Sequence, residues 1–243
     1  MIRIRKNFSR NIVIILSLTL FYNSILFTQT NSQTNDLTDK SDIVFDSLVT
    51  LFNKTTSDTS KINILNEISW NYAPTNFEKS KRFADSAFVL SDKINWQKGK
   101  AYSLKNLGEA LRYKGELNDA LEEHKVALEI FRKLDDKNGI ASVLSNIGIE
   151  YYMLSEFPKA FENYSEALEI HESLNNSDGI LKNLSLIGTL FFKFERYDEA
   201  LEYYEKALFI ANENEMENYI ADQLVNIAVT KIELKNYTDA IKN

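Results

Sequence analysis

A chain of 243 residues that is 44% hydrophobic and 26% charged can bury a core. Only seven glycines and two prolines interrupt it, which favours long helices over many short strands. The absence of cysteine excludes disulfides, thiolate zinc sites and cysteine nucleophiles. The formal charge of −7 is unevenly spread: Arg3, Arg5, Lys6 and Arg10 are the only charged residues of the first thirty. Beyond them 24 basic residues face 35 acidic ones, a balance of −11 that disfavours nucleic-acid binding.

Residues 1–30 form a separate unit, a basic stretch (MIRIRKNFSR) followed by an apolar run (NIVIILSLTLFYNSILF). Its densest part, Ile12 to Phe21, has the length of a signal-peptide core more than of a full membrane span. No Ala-x-Ala follows, and Thr28/Thr30 is a weak substitute. A cleaved signal and an uncleaved anchor over residues 11–27 both place the remainder outside the cytoplasm, periplasmic or secreted. A buried N-terminal helix is the third reading. Residues 31–41 are polar and read as a linker. Residues 42–60 hold a possible leading helix, with Val44, Leu48, Leu51 and Phe52 on one face.

From Lys100 onward residue types recur every forty positions. One column is Gly108, Gly148, Gly188 and Ala228; a second is Ala120, Ala160, Ala200 and Ala240; a third is Ala127, Ala167 and Ala207. Apolar columns accompany them, among them Leu107, Ile147, Ile187 and Ile227. Gly99, Gly139 and Gly179 read as joints between units. A fainter unit precedes these, with Ala87, Phe88 and Leu90 in register with Ala127, Leu128 and Ile130. The units lie near 61–99, 100–139, 140–179, 180–218 and 219–243, the last truncated.

Each unit reads as two helices. In the second, helix A is predicted near Lys100–Lys114 and helix B from Asn118, as N-cap, to about Leu134. Pro158 stands at the equivalent start one unit on, where a missing N–H costs little. A glycine inside a helix costs about 1 kcal/mol against alanine, which implies a close helix approach at that column. One hairpin cannot bury its own apolar face, so the units must stack. In the last unit, helix B is predicted to begin near Thr238. So short a final helix, with no polar cap after it, leads us to expect further repeats and an output domain beyond the chain.

Leu107-Gly108, Ala120 and Ala127 match the small–apolar pattern of the tetratricopeptide repeat (TPR), and the resemblance covers residues 61–243. The period of forty is similar to the longer repeats of kinesin light chains. It also resembles the N-terminal TPR regions of bacterial membrane signalling proteins, where a histidine kinase, nucleotide cyclase or DNA-binding output follows. The resemblance implies an all-α, right-handed α-solenoid of about four to five helix hairpins, the last incomplete.

Catalytic signals are sparse. His124 and His171 lie on B helices at different phases, with no second ligand at i+4, and read as surface or packing residues. The segment QKGKAYS fails as a phosphate loop, since Ala101 stands where Ser or Thr is required. Acidic pairs such as Glu122/Glu123 read as solvated faces. No catalytic residue, metal or cofactor is predicted.

The concave groove is the candidate site. Asn106, Asn146 and Asn226 recur just before the small column, and amide side chains offer both donors and an acceptor. In forty-residue TPR proteins such asparagines grip peptides, so the resemblance implies peptide contact; bonding between repeats is the other reading. Lys105, Asn146 and Lys182 fall at three positions of the family's carboxylate clamp, while Glu109 and Leu186 occupy the other two and Glu109 would repel. Tyr102, Arg112, Tyr113, Ile149, Tyr152, Met153, Thr189 and Lys193 complete the predicted groove. The expected partner is a protein or peptide, with membrane contact only through the N-terminal segment. The two functional readings are a non-enzymatic interaction scaffold and the sensory region of a longer signalling enzyme.

Overall fold

The computed structural model describes residues 42–242. The expected export segment (1–30) and the expected polar linker (31–41) therefore lie outside the described residues. The chain divides after Lys54 into two compact units. The first contributes one described helix, α1 (residues 42–54), where the leading helix was expected.

The second unit is a stack of helices without a strand among the described residues. They are α2 (Asp58–Tyr72), α3 (Phe77–Lys93), α4 (Gln97–Lys114), α5 (Leu117–Lys133), α6 (Lys137–Met153), α7 (Phe157–Ser173), α8 (Ser177–Lys193), α9 (Tyr197–Glu213) and α10 (Glu217–Lys242). Each helix packs on the next, and α4, α6, α8 and α10 also touch the helix two before them. Among the described residues no such contact joins α3, α5, α7 and α9 to one another. The even-numbered A helices are therefore the closely spaced inner layer and the odd-numbered B helices the outer one. The predicted all-α solenoid is the observed architecture.

The forty-residue period resolves into two equal halves. Asn95, Gly115, Asp135, Ser155, Asn175, Glu195 and Glu215 all have positive φ, between 50° and 89°, one every twenty residues. Each ends a helix in the same way. After α6, Glu156 N–H bonds to Tyr151 O (2.8 Å) and Ser155 N–H to Tyr152 O (3.0 Å), the paired bonds of a Schellman stop. Turns within and between units are thus built alike, although only one of the seven stops is a glycine. A left-handed non-glycine residue costs about 1–2 kcal/mol in Cβ sterics, part of which glycine gives back as unfolded-chain entropy. Glu195→Gly is accordingly expected to raise stability by about 0.5–1 kcal/mol, read from the urea midpoint at unchanged slope.

Three local expectations are corrected. Helix B of the second unit begins at Leu117 with Glu116 as cap and no side-chain cap bond, so Asn118 lies inside the first turn. Gly139 and Gly179 lie at the joints but inside helices, in the first turns of α6 and α8, where their N–H groups bond to Asp136 Oδ1 and Asn176 Oδ1. Finally, α10 runs unbroken from Glu217 to Lys242, through Lys235, where the twenty-residue pattern predicts a stop. Extending an existing helix adds a hydrogen bond per residue, while a stop there would require a new helix to nucleate.

The small columns have a packing reason that the sequence reading only half anticipated. Ala120, Ala127, Ala160, Ala167, Ala200 and Ala207 are wholly buried. The glycines face rings. A Cβ built on Gly148 would lie 2.4 Å from Cε1 of Tyr164, and one on Gly139 2.3 Å from Cδ1 of Phe131. Gly148 receives its ring from the same hairpin, Gly139 from the preceding one. The bulk missing on the A helix is supplied by the B helix, and the two kinds of contact alternate along the stack.

Candidate functional site

The inner layer carries a buried ionic chain that joins two repeats. Glu150 on α6 stands in a column otherwise filled by Ala110, Leu190 and Thr230, yet it is wholly buried. Its Oε2 lies 3.0 Å from Nδ1 of His124 on α5, itself wholly buried. The other ring nitrogen, Nε2, lies 3.0 Å from the carbonyl oxygen of Lys105 on α4. Carboxylate and carbonyl both accept, so a ring with a proton on each nitrogen satisfies both. On the groove side Arg112 Nε approaches Glu150 Oε1 at 3.6 Å, and Arg112 donates to Glu109 Oε1 at 3.3 Å. The pairing with Arg112 draws Glu109, expected to repel a carboxylate, into a local charge balance.

Two lysines flank this chain. Burial among protein groups holds the ammonium of Lys105 below its ordinary pKa, against the opposing pull of Glu109. Lys182, although its side chain reaches solvent, is lowered first by the protein groups crowding its ammonium, with Glu109 opposing and Lys105 and Arg112 adding repulsion. Its Nζ reaches Asn146 Oδ1 at 3.5 Å. Lys105, Asn146 and Lys182 are therefore brought together across α4, α6 and α8. They form a cationic spot whose charge the protein only partly compensates. On the outer layer, burial first and then Lys182 lower the pKa of His171. That ring packs over Gly179 and receives Asn176 Nδ2 at 3.2 Å on Nδ1, so it belongs to the joint between repeats.

The asparagines divide. Asn106 is 3% exposed and donates Nδ2 to the main-chain oxygen of Asn66, forty residues earlier, at 2.7 Å. Asn66 in turn reaches the carbonyl of Gly99 at 3.4 Å. Asn146, equally buried, accepts on Oδ1 from Lys182 Nζ at 3.5 Å. The amides of Asn106 and Asn146 are thus engaged with the solenoid itself and not displayed along the groove. The rung is the other reading of the ladder, inter-repeat bonding. Asn226 alone is half-buried at the surface. It lines a cavity of about 360 Å³ between α8 and α10, with Lys182, Ser185, Thr189, Tyr219 and Gln223.

The other predicted groove residues fall into two sets. Tyr113, Met153, Lys182 and Lys193 are exposed, and Arg112 lies over the ring of Tyr113 at 4.4 Å. Ile149 and Tyr152 are partly buried against the cluster of Tyr164, Ile187 and Leu190. Thr189 donates to Ser185 O and accepts from Tyr204 Oη at 3.1 Å. Tyr102 stands edge-on to Phe131 (5.0 Å) and packs into the joint between repeats. Glu150 and the inner role of His124 were missed. The available signal was a carboxylate in a column of Ala, Leu and Thr, and a His where later repeats have Tyr164 and Tyr204 opposite glycine. Glu123, read as solvated, is half-buried, and its carboxyl pKa is raised chiefly by burial.

Among the described residues no cluster of three or more His, Asp or Glu is arranged to hold a metal, and no helix is long and apolar enough to cross a membrane. A family model for the tetratricopeptide repeat matches residues 99–173 and again 139–213. No curated protein matches the chain in sequence. Among solved structures, BtubC (BKLC) from P. vanneervenii superposes with a TM-score of 0.66 at 15% identity, over 86% of this chain and 87% of that one. The STAND signal transduction ATPase PH0952 from Pyrococcus horikoshii, with a tetratricopeptide repeat sensor, gives 0.63 at 21% identity, over 76% of this chain and 29% of that one. A Rap protein complexed with competence and sporulation factor gives 0.66 at 19% identity, over 75% of this chain and 54% of that one. At these identities the likeness concerns the fold alone.

Proposed function

Because this chain belongs to the tetratricopeptide-repeat proteins, whose fold serves as a protein-interaction scaffold, we propose that its inner groove captures a peptide segment or protein surface of a partner. The observation that carries this is the only partly compensated cationic spot of Lys105 and Lys182, joined through Asn146, whose Lys182 lines the cavity between α8 and α10. Around it stand exposed side chains of mixed type, Tyr113, Met153 and Lys193, such as a rim needs. The Rap protein complexed with competence and sporulation factor supports capture of a separate factor by this architecture. Selection from a displayed random-peptide library tests the reading. Enriched peptides are expected to lose at least about tenfold in affinity, about 1.4 kcal/mol, on Lys182→Ala or Tyr113→Ala. They are expected to keep it on Glu162→Ala, an outer-layer control. Equal binding to all three variants sinks the groove.

The basic and apolar N-terminal segment supports placement outside the cytoplasm, by cleavage or by anchoring over residues 11–27. A sensory role within a longer signalling protein is the second reading. It is favoured by the STAND protein with a tetratricopeptide repeat sensor, of whose length this chain spans about a third or less, 29%. Protease accessibility of a tagged chain in intact cells tests the placement.

A further inference from the structure

We propose that a cavity between α3 and α5, apart from the groove, is a second binding site, which takes an alkylammonium group, a cationic head on a short apolar stem. The cavity measures about 210 Å³. Phe88 of α3 and Leu104 and Leu107 of α4 give it apolar walls, Ser103 leaves it room, and the carboxylates of Asp85 and Glu123 line it. Later repeats fill the corresponding cleft from within the chain. Eighty residues on, Tyr203 stands in register with Glu123 and packs against the clusters of Leu184 and Ile187, the counterparts of Leu104 and Leu107. Leu184 and Ile187 are closed off completely, whereas Leu107 stays partly exposed. Forty residues on, Val143 stands where the earlier cleft has Ser103. The bulk that covers the later clefts is thus missing from this one, and the stem of a ligand takes its place.

Charge decides the head. Glu123 is half-buried and has no hydrogen bond or ion pair among the described residues. Burial raises its carboxyl pKa most, His124 and Lys81 oppose, and Asp85 and Asp119 add to the rise. Both opposing cations are already committed: His124 lies 3.0 Å from the carboxylate of Glu150, and Lys81 holds Asp85 at 2.6 Å. The carboxylates around the cavity therefore outnumber the cations left to them. An ammonium meets Glu123 beside an apolar wall, where water screens less than at an open surface. Its stem covers Leu104 and Leu107, as the stems of lysines do on apolar surfaces generally. A neutral ligand gains the walls alone, and an anion is repelled. A lysine side chain of a partner protein and a free alkylamine share this chemistry.

Methyl-labelled NMR of the full chain, titrated with n-pentylammonium, tests this. Saturable shifts of the Leu104 and Leu107 methyl groups are expected, with a dissociation constant on the order of 1 mM for so small a ligand. Glu123→Gln should weaken binding by at least about fivefold and leave the urea midpoint unchanged or higher, because the carboxylate it removes is uncompensated. Glu123→Tyr, which copies the later repeat, should abolish binding and raise the midpoint. Tighter binding of Nα-acetyl-lysine methylamide than of n-pentylammonium assigns the site to a partner's side chain, and weaker binding assigns it to a free amine. Absence of saturable shifts with both ligands overturns the proposal. So does equal binding of n-pentanol, or binding indifferent to Glu123→Gln. None of these readouts depends on what the groove binds.

Discussion

Replacing Glu150 with leucine is expected to lower the unfolding free energy by about 3–5 kcal/mol, while replacing it together with His124→Tyr should cost far less. Glu150 is wholly buried between His124 and Arg112, at 3.0 and 3.6 Å. Removing the carboxylate alone leaves the imidazole Nδ1 without its acceptor and Arg112 with Glu109 as its remaining counter-ion. A buried polar group stranded in this way bears its full desolvation cost. The double replacement copies what the next repeat already contains. Tyr164 stands in the column of His124, Leu190 in that of Glu150, and the two belong to one apolar cluster. Gly108, opposite His124, leaves the same space that Gly148 leaves for Tyr164. Exchanging a buried ion pair for packed apolar groups is often neutral or stabilising. Urea unfolding of the two singles and the double closes the cycle. A double variant as unstable as the sum of its singles would show that the pair is not an isolated unit.

Gly148→Ala is the second strong case. Helix propensity alone predicts a gain of about 1 kcal/mol from this change. A methyl group there would meet the Tyr164 ring at 2.4 and 2.5 Å, and that ring is itself buried. Overpacking a closed core costs about 1–3 kcal/mol, and the upper end applies where a ring must move bodily. The net expectation is a loss of about 2 kcal/mol, opposite in sign to the propensity rule. Tyr164→Ala in the Gly148→Ala background should destabilise by less than the two changes added, because the methyl then enters space the ring has left. The fainter first repeat carries such a pairing, with Ser69 and Ala84 in the two columns. A rise in the urea midpoint for Gly148→Ala would reject the ring-into-gap account.

These two cases mark where the sequence was legible. A column of glycine or alanine every forty residues is imposed by packing that repeats once per hairpin, so periodicity alone revealed paired helices stacked in line. The partner of each gap was less visible, because His124, Tyr164 and Tyr204 differ in type while filling the same role. The stops were hidden for a related reason: Asn, Gly, Asp, Ser and Glu all adopt the same left-handed turn, so the twenty-residue half-period leaves no single-letter trace.

The sequence by itself determined that the chain builds an all-helical stack of hairpins, since apolar spacing and withheld bulk are local properties of each helix. Only the tertiary structure decided what the polar groups of the inner layer do. The amide of Asn106 turns to a carbonyl forty residues away, Glu150 meets a histidine twenty-six residues before it, and α10 runs on through its expected stop. Such outcomes depend on which atoms the stacked neighbours leave unsatisfied, and that is known only once the neighbours are in place.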